Sequence, residues 1–391
     1  MKPRSYSGKL LEILSASLKL GLTSFGGPAA HIGYFREEYV HRRKWLNEKE
    51  YADLVALCQF LPGPASSQAG MGIGMVRGGL IGGLVSFIGF TLPSVVALTL
   101  FAMLIQGMGI GNEGWLHGLK LVAAAVVLHA VLGMGKSFAS TKASGSMAAA
   151  AAVATLLWQS NLAQVSVIAC AAVTGMLILK NEPDDADSPF HVPIGKRTGL
   201  FLLSLFAVLL ILLPLIANNS TSAGIILYDS FFRSGALVFG GGHVVLPLLE
   251  REIVPGFLDH ETFLAGYGAA QAVPGPLFTF ASYLGMAIAG WKGMLVSTLA
   301  IFTPAFLLVG GTLPFWSILR KKESVKRALA GVNAAVVGIL LAALYDPIIT
   351  SSVHQNSDFS FAAILFVLLA FWKLPPWVVV ILGAAGGQLF F

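Results

Sequence analysis

The stretch Gln59-Phe-Leu-Pro-Gly-Pro-Ala-Ser-Ser-Gln68 breaks any helix that enters it. Two prolines without N–H groups flank a glycine, so an α-helix cannot continue through the run. Its surroundings are strongly apolar. In lipid, such a break leaves backbone groups that protein, water or a bound ligand must satisfy. The pattern returns as Gln271-Ala-Val-Pro-Gly-Pro-Leu-Phe-Thr279, 212 residues further on. Two copies at matched places in the two halves mark a constraint on the fold rather than an accident.

The 391 residues are 56% hydrophobic and 11% charged, against roughly 25% charged in soluble domains. Mean hydropathy is +0.78, and the apolar runs are continuous rather than alternating. That composition predicts an all-α polytopic membrane protein and excludes a β-barrel. Glu12 and Lys19 interrupt what would be the apolar core of a signal peptide, so none is expected. Cys58 and Cys170 lie in apolar segments and suggest no disulfide framework. The net charge of +6 sits in loops and calls for no nucleic-acid partner.

The second half copies the first. Ser24-Phe-Gly-Gly27 answers Val238-Phe-Gly-Gly-Gly242, and Arg36-Glu-Glu-Tyr-Val40 answers Glu250-Arg-Glu-Ile-Val254. Trp45-Leu46 and Phe257-Leu258 precede the two Pro-Gly-Pro runs. Thr91-Leu-Pro93 matches Phe302-Thr-Pro304, and Ala124-Ala-Val-Val127 matches Ala334-Ala-Val-Val337. The offset drifts only from 214 to 210, as one duplicated unit would give.

Charge sets the orientation of the copies. The loop over 36–49 carries Arg36, Arg42, Arg43, Lys44 and Lys49, whereas its counterpart carries Glu250, Glu252, Asp259 and Glu261 with Arg251 alone in opposition. Further on the bias reverses, with Glu113 in 107–118 and five Lys or Arg in 320–327. Positive loops stay cytoplasmic. Equivalent loops then face opposite sides, which is an inverted-topology repeat. The expected organisation is a first repeat at 1–180, a polar cytoplasmic linker at 181–198 and a second repeat at 199–391. Broken, re-entrant helical hairpins are expected at Phe25-Gly-Gly-Pro28, over 50–77, over 224–250 and over 263–287. Nine full crossings, at 79–106, 119–139, 145–158, 162–179, 199–217, 290–312, 330–345, 359–373 and 375–391, complete the plan and leave the C-terminus outside.

Phe-Gly-Gly-Pro, Gln-x-x-Pro-Gly-Pro, the aromatic-Leu pair before it and the weaker second copies together resemble the chromate ion transporter (CHR) family, long-chain two-domain type. The resemblance covers nearly the whole chain outside the linker and the last helices. It implies a bacterial inner-membrane transporter that exports chromate, confers chromate resistance and draws on the proton motive force, with sulfate as the natural look-alike. In the second half Gly242 stands where the first has Pro28, as halves with divided roles would show.

Chromate is a tetrahedral dianion, so its site must offer hydrogen-bond donors and positive potential at membrane depth. Half-helix N-termini do this without placing a full charge in lipid. The candidates are the amides around Gly26 and Gly27, around Gly240 and Gly241, and after Pro62-Gly63-Pro64 and Pro274-Gly275-Pro276, with Ser66, Ser67, Gln68 and Thr279 nearby. The same glycines would equally serve close helix packing. Gln59 and Gln271 lie one turn before each break, where an amide caps freed carbonyls or donates to an oxyanion. Arg36 and Arg77 are candidates for attracting the dianion, or for anchoring at headgroups. Glu38, Glu252, His31 and His243 are candidates for carrying protons, with ion pairing and structural hydrogen bonding as the alternatives.

Gly109-x-Gly111-x-x-Gly114 has no βαβ context, there is no nucleotide-binding loop, and the His and Cys residues lack metal-ligand spacing. Neither an enzyme, a cofactor nor a bound metal is expected. A dianion leaving a negative-inside cell gains about 4.6 kcal/mol per 100 mV, so export is electrically downhill. The expected partners are chromate or sulfate, protons and the bilayer. A general oxyanion carrier and an uncoupled anion channel remain open, as does a homodimer.

Overall fold

A computed structural model describes residues 5–25, 27–108, 114–158, 161–179, 192–239, 245–254, 256–316 and 322–391, and every regular element among them is helical. The chain runs through α1 (Tyr6–Thr23), α2 (Gly27–Phe35), α3 (Glu48–Phe60), α4 (Ala65–Met108), α5 (Gly114–Phe138), α6 (Lys142–Leu157), α7 (Asn161–Ile178) and α8 (Lys196–Asn218). It continues through α9 (Ala223–Leu237), α10 (Val245–Ile253), α11 (His260–Ala270), α12 (Phe280–Thr312), α13 (Glu323–Ala343), α14 (Asn356–Ala370) and α15 (Pro376–Phe390). Among the described residues five helical stretches are long and apolar enough to cross a membrane, at 65–106, 114–138, 196–218, 277–315 and 323–352.

Helix ends depart from the apolar runs where polar residues make local bonds. A π-helical turn, Arg36–Arg42, prolongs α2 into the expected basic loop. A capping box between Asn47 and Glu50 then starts α3 early, so the 36–49 loop is short. Similarly α13 begins at Glu323 rather than near 330, where the Glu323–Arg327 pair at 2.8 Å supports its first turns.

Two compact units result, and each draws on both halves of the sequence: Met1–Leu100, Pro183–Gly242 and Pro274–Lys321 form one, and Phe101–Glu182, His243–Val273 and Lys322–Phe391 the other. In the first unit the chain folds back between α1 and α2, which brings the Lys19 ammonium to 2.7 Å from the Glu38 carboxylate. That is the expected broken hairpin. A second reversal lies inside α4 at Gly78–Gly79, where the Ser86 hydroxyl donates to the Gly70 carbonyl at 2.8 Å. A straight helix would hold those residues about 24 Å apart. The matching reversal in α12 is at Ala289–Gly290, with Ser297 donating to the Ala281 carbonyl at 2.6 Å. Gly74 against Gly82, and Gly285 against Gly293, let the two limbs of each hairpin touch through backbone. Gly21 meets the Phe90 carbonyl just as Gly235 meets that of Ile301. These pairs match at offsets of 211 to 214, so the two homologous halves repeat in contacts as well as in letters.

In the second unit α13 packs on α6 and α7, and α5 packs on α14 and α15. Small residues carry both seams: Gly331 meets Gly175 and Ala171, Gly338 meets Ala148, and Gly118 meets Gly383 and Gly387. Close backbone approach of this kind is the usual adhesive between helices in lipid. Leu121, Val122, Val126, Leu365 and Val379 fill the core beside α5.

Candidate functional site

The four helix breaks are joined in pairs within the first unit. Pro62 and Pro64 bring no N–H to the last turn of α3, and the Gly63 amide leaves that helix to donate to the Val238 carbonyl at the end of α9, at 2.6 Å. Reciprocally, the Gly275 amide donates to the Ser24 carbonyl at the end of α1, at 2.9 Å. Each Pro-Gly-Pro loop thus caps the broken helix of the opposite half. The flanking contacts match too, since Gly63 faces Ala305 and Gly275 faces Ser94, each one residue after a helix proline. Exchange of the halves leaves the pattern unchanged, the mark of an approximate two-fold relation.

Both bridging glycines hold positive φ, 122° at Gly63 and 101° at Gly275, which side chains other than hydrogen rarely permit. Beyond the first break, Gln68 donates from Nε2 to the Pro62 carbonyl at 2.7 Å. In the second half the Thr279 hydroxyl donates instead to the carbonyl of Pro276, the counterpart of Pro64, at 2.7 Å. The first-turn amides of α4, Ala65 to Ser67, have no intrahelical acceptor and point with the positive end of the helix dipole.

Several buried polar atoms around these crossings find no partner among the described residues: Ser24 Oγ, His31 Nδ1, Ser67 Oγ, Gln68 Oε1 and Thr91 Oγ1. His31 Nε2 lies 3.2 Å from the Ser24 carbonyl, and its ring meets Phe90 edge-on. Nε2 is therefore the donor in that contact, and Nδ1 is left with its lone pair. Unsatisfied buried groups cost about 1–3 kcal/mol each, so these atoms call for a polar partner such as ordered water or a ligand. All five belong to the first half. Their counterparts are Val238, Val245, Thr279, Phe280 and Phe302, four of them apolar.

The remaining sequence candidates differ in their settings. Ser66 is buried in the first turn of α4, Gln59 is exposed, and Gln271 is half-buried with its Nε2 unpartnered. Gly27 opens α2 at a φ of 80°. Gly26, Gly240, Gly241 and His243 lie outside the described residues, as does most of the linker. Arg36 is exposed and makes a bidentate pair with Glu48, 2.9 Å for both bonds. Arg77 pairs with Glu12 at 2.7 Å and lies over the Trp45 ring at 4.3 Å. Glu252 is half-buried on α10.

Glu38 is buried among three cations, bonded to Lys19 and Arg43 at 2.7 and 2.8 Å with Arg42 at 3.6 Å. Burial alone would raise its pKa, but the bonds from Lys19 and Arg43 prevail and hold it below the ordinary value. The stability this charge contributes is present above the unfolded pKa, near 4.3, and lost as pH falls through the lower folded value. Glu38→Gln is expected to lower stability at pH 7 and to flatten its dependence on pH between about 5 and 3. Tryptophan fluorescence during acid titration in detergent measures this.

Over residues 11–176 and 225–388 the sequence matches the family described as Chromate transporter. The chain belongs to the chromate transporter family. It is 28% identical to a probable chromate transport protein of Synechococcus elongatus, over 97% of this chain and 95% of that one. It is 27% identical to a chromate transport protein of Pseudomonas aeruginosa, over 98% of this chain and 92% of that one. An uncharacterised transporter of Methanocaldococcus jannaschii is 25% identical, over 93% of this chain and 89% of its own. No solved structure matches. The two matched regions coincide with the two halves, and with the apolar helices they make the chain a multi-pass membrane transporter of two homologous halves. Gln68 is named beside the first break, whereas Ser24, Thr91 and Ser94 are the candidate residues that motif spacing does not single out. Pairing each with its repeat-equivalent, where Ser24 meets Val238 and Thr91 meets Phe302, is the signal that finds them.

Proposed function

We propose that this chain is a secondary active transporter exporting chromate across the bacterial inner membrane, proton-coupled and conferring chromate resistance. The reciprocal capping of Ser24 by Gly275 and of Val238 by Gly63 carries this reading. It ties two helix breaks from opposite halves to one another and leaves half-helix amides and hydroxyls unpaired beside them. A tetrahedral dianion takes donors of that kind without a formal counter-charge. Ser24, Ser67 and Thr91 supply hydroxyl donors, and the first turn of α4 supplies amides.

The halves, 1–180 and 199–391 about the linker at 181–198, are read as inverted in topology. The opposite charge of their equivalent loops and the two-fold exchange of contacts support this. Alternating access then exposes the crossed breaks, where the two halves meet, to each side of the membrane in turn. Arg36 and Arg77, each already paired with a carboxylate, are left with a weaker role in attracting the anion than the helix breaks.

Chromate accumulation by inside-out vesicles tests this function. Accumulation that collapses with an uncoupler and withstands excess sulfate is expected. Flux insensitive to the uncoupler would favour a channel. Flux abolished by sulfate would favour the second reading, a general oxyanion carrier, since hydroxyls and amides distinguish two tetrahedral dianions poorly.

A further inference from the structure

Buried carboxylates differ in whether their partners can lose a proton. Glu38 faces Lys19, Arg42 and Arg43, and Asp229 pairs with Arg233 at 2.8 Å, so both meet Lys or Arg rather than histidine. Asp358 meets His117 at 2.9 Å, but it also accepts the amides of His354 and Gln355 as the capping residue of α14, which fixes its charge. Glu250 is of another kind. It is 4% exposed on α10, and its Oε1 lies 3.0 Å from Nδ1 of His260, the first residue of α11. Imidazole is the side chain whose charge changes near neutral pH. The His260 side chain is 47% exposed, so the pair has one buried member and one open to water.

We propose that Glu250 and His260 form the proton-binding site of the transport cycle, a role that rests on the proton-coupled reading above. The pair takes up one proton, passing from carboxylate and neutral imidazole to carboxylate and imidazolium, and gives it back from the exposed ring. The groups facing it from neighbouring elements are Asp346 in the turn after α13, Arg251 on α10 and Asp259 before α11. Arg251 also donates to the Thr155 carbonyl at 3.2 Å, while on α5 Lys120 holds Glu261, the residue after His260, at 3.1 Å. Two acids and one arginine thus surround the pair and favour retention of a cation on His260. In agreement, the bond to Glu250 raises His260, while burial raises the Glu250 carboxyl, so each member of the pair holds a proton more readily than in water. None of the candidates read from the sequence includes this pair, because Glu250 aligns with Arg36 and His260 has no counterpart in the motifs.

Purified protein in liposomes, with the membrane potential clamped at zero, separates proton coupling from anion handling. In the wild type an imposed pH gradient should drive uphill chromate accumulation. Glu250→Gln and His260→Asn should each lose that accumulation by at least tenfold. Both should keep exchange of labelled for unlabelled chromate at equal pH, within about twofold of wild type. Gradient-driven accumulation persisting in either variant overturns this assignment alone. Loss of exchange in both marks the pair as structural and also overturns it. A wild type indifferent to the gradient overturns the proton-coupled reading, and this site with it.

Discussion

Gly63→Ala and Gly275→Ala are each expected to abolish chromate transport while leaving the protein in the membrane. A Cβ at either position must be accommodated at a φ of 122° or 101°, a strain on the order of 1–3 kcal/mol. At Gly63 it would also stand 2.8 Å from Gln68 Nε2, displacing the amide that caps the Pro62 carbonyl. At Gly275 it would meet Ser94 Oγ, with the Phe90 carbonyl at 3.3 Å. Each change pushes one Pro-Gly-Pro loop off the helix end it caps in the opposite half. The strain alone corresponds to a fall of roughly 5- to 150-fold, which the steric contacts deepen to loss of transport. Gly33→Ala, where a Cβ has open space, serves as the control. Uptake by vesicles, normalised to protein in the membrane, is the measurement. Full transport by both variants would remove the crossing from the mechanism.

Gly82→Leu and Gly293→Leu should instead cost the fold itself. Gly82 rests on the Gly74 carbonyl and Gly293 on that of Gly285, backbone against backbone, with no flexible side chain to yield. A leucine there prevents the two limbs of each hairpin from closing, and overpacking of this severity costs about 3 kcal/mol or more. The protein surviving heating in detergent, measured by size-exclusion chromatography, should fall sharply for both. Unchanged thermal survival would mean that the limbs are not in contact. The expected losses are alike because the two contacts are repeat-equivalents.

Much of this arrangement is legible in the residues. Proline flanking glycine in an apolar run dictates a helix break wherever it occurs, and the Pro-Gly-Pro and Phe-Gly-Gly segments end helices at Phe60, Ala270, Thr23 and Leu237. Apolar runs likewise foretell α5 and α8. Harder to read is which break meets which. Gly63 and Val238 are partners across 175 residues, and no local pattern specifies an amide's acceptor at that distance. The side of the break was equally hidden. Gln59 and Gln68 are both one turn from it, yet Gln59 faces outward while Gln68 turns in to cap Pro62, because only the helix after the break is buried on that face. The Glu250–His260 pair joins the end of one helix to the start of the next across a loop whose length does not announce it.

Equilibrium binding of radiolabelled chromate to the purified protein tests most directly whether the anion sits at the crossed breaks. Saturable binding is predicted for the wild type, weakened by tenfold or more in Ser67→Ala and in Thr91→Val. That is the loss expected for a hydrogen bond to a charged group worth about 1.5–3 kcal/mol. Undiminished affinity in both variants would contradict the account and place the anion elsewhere in the protein.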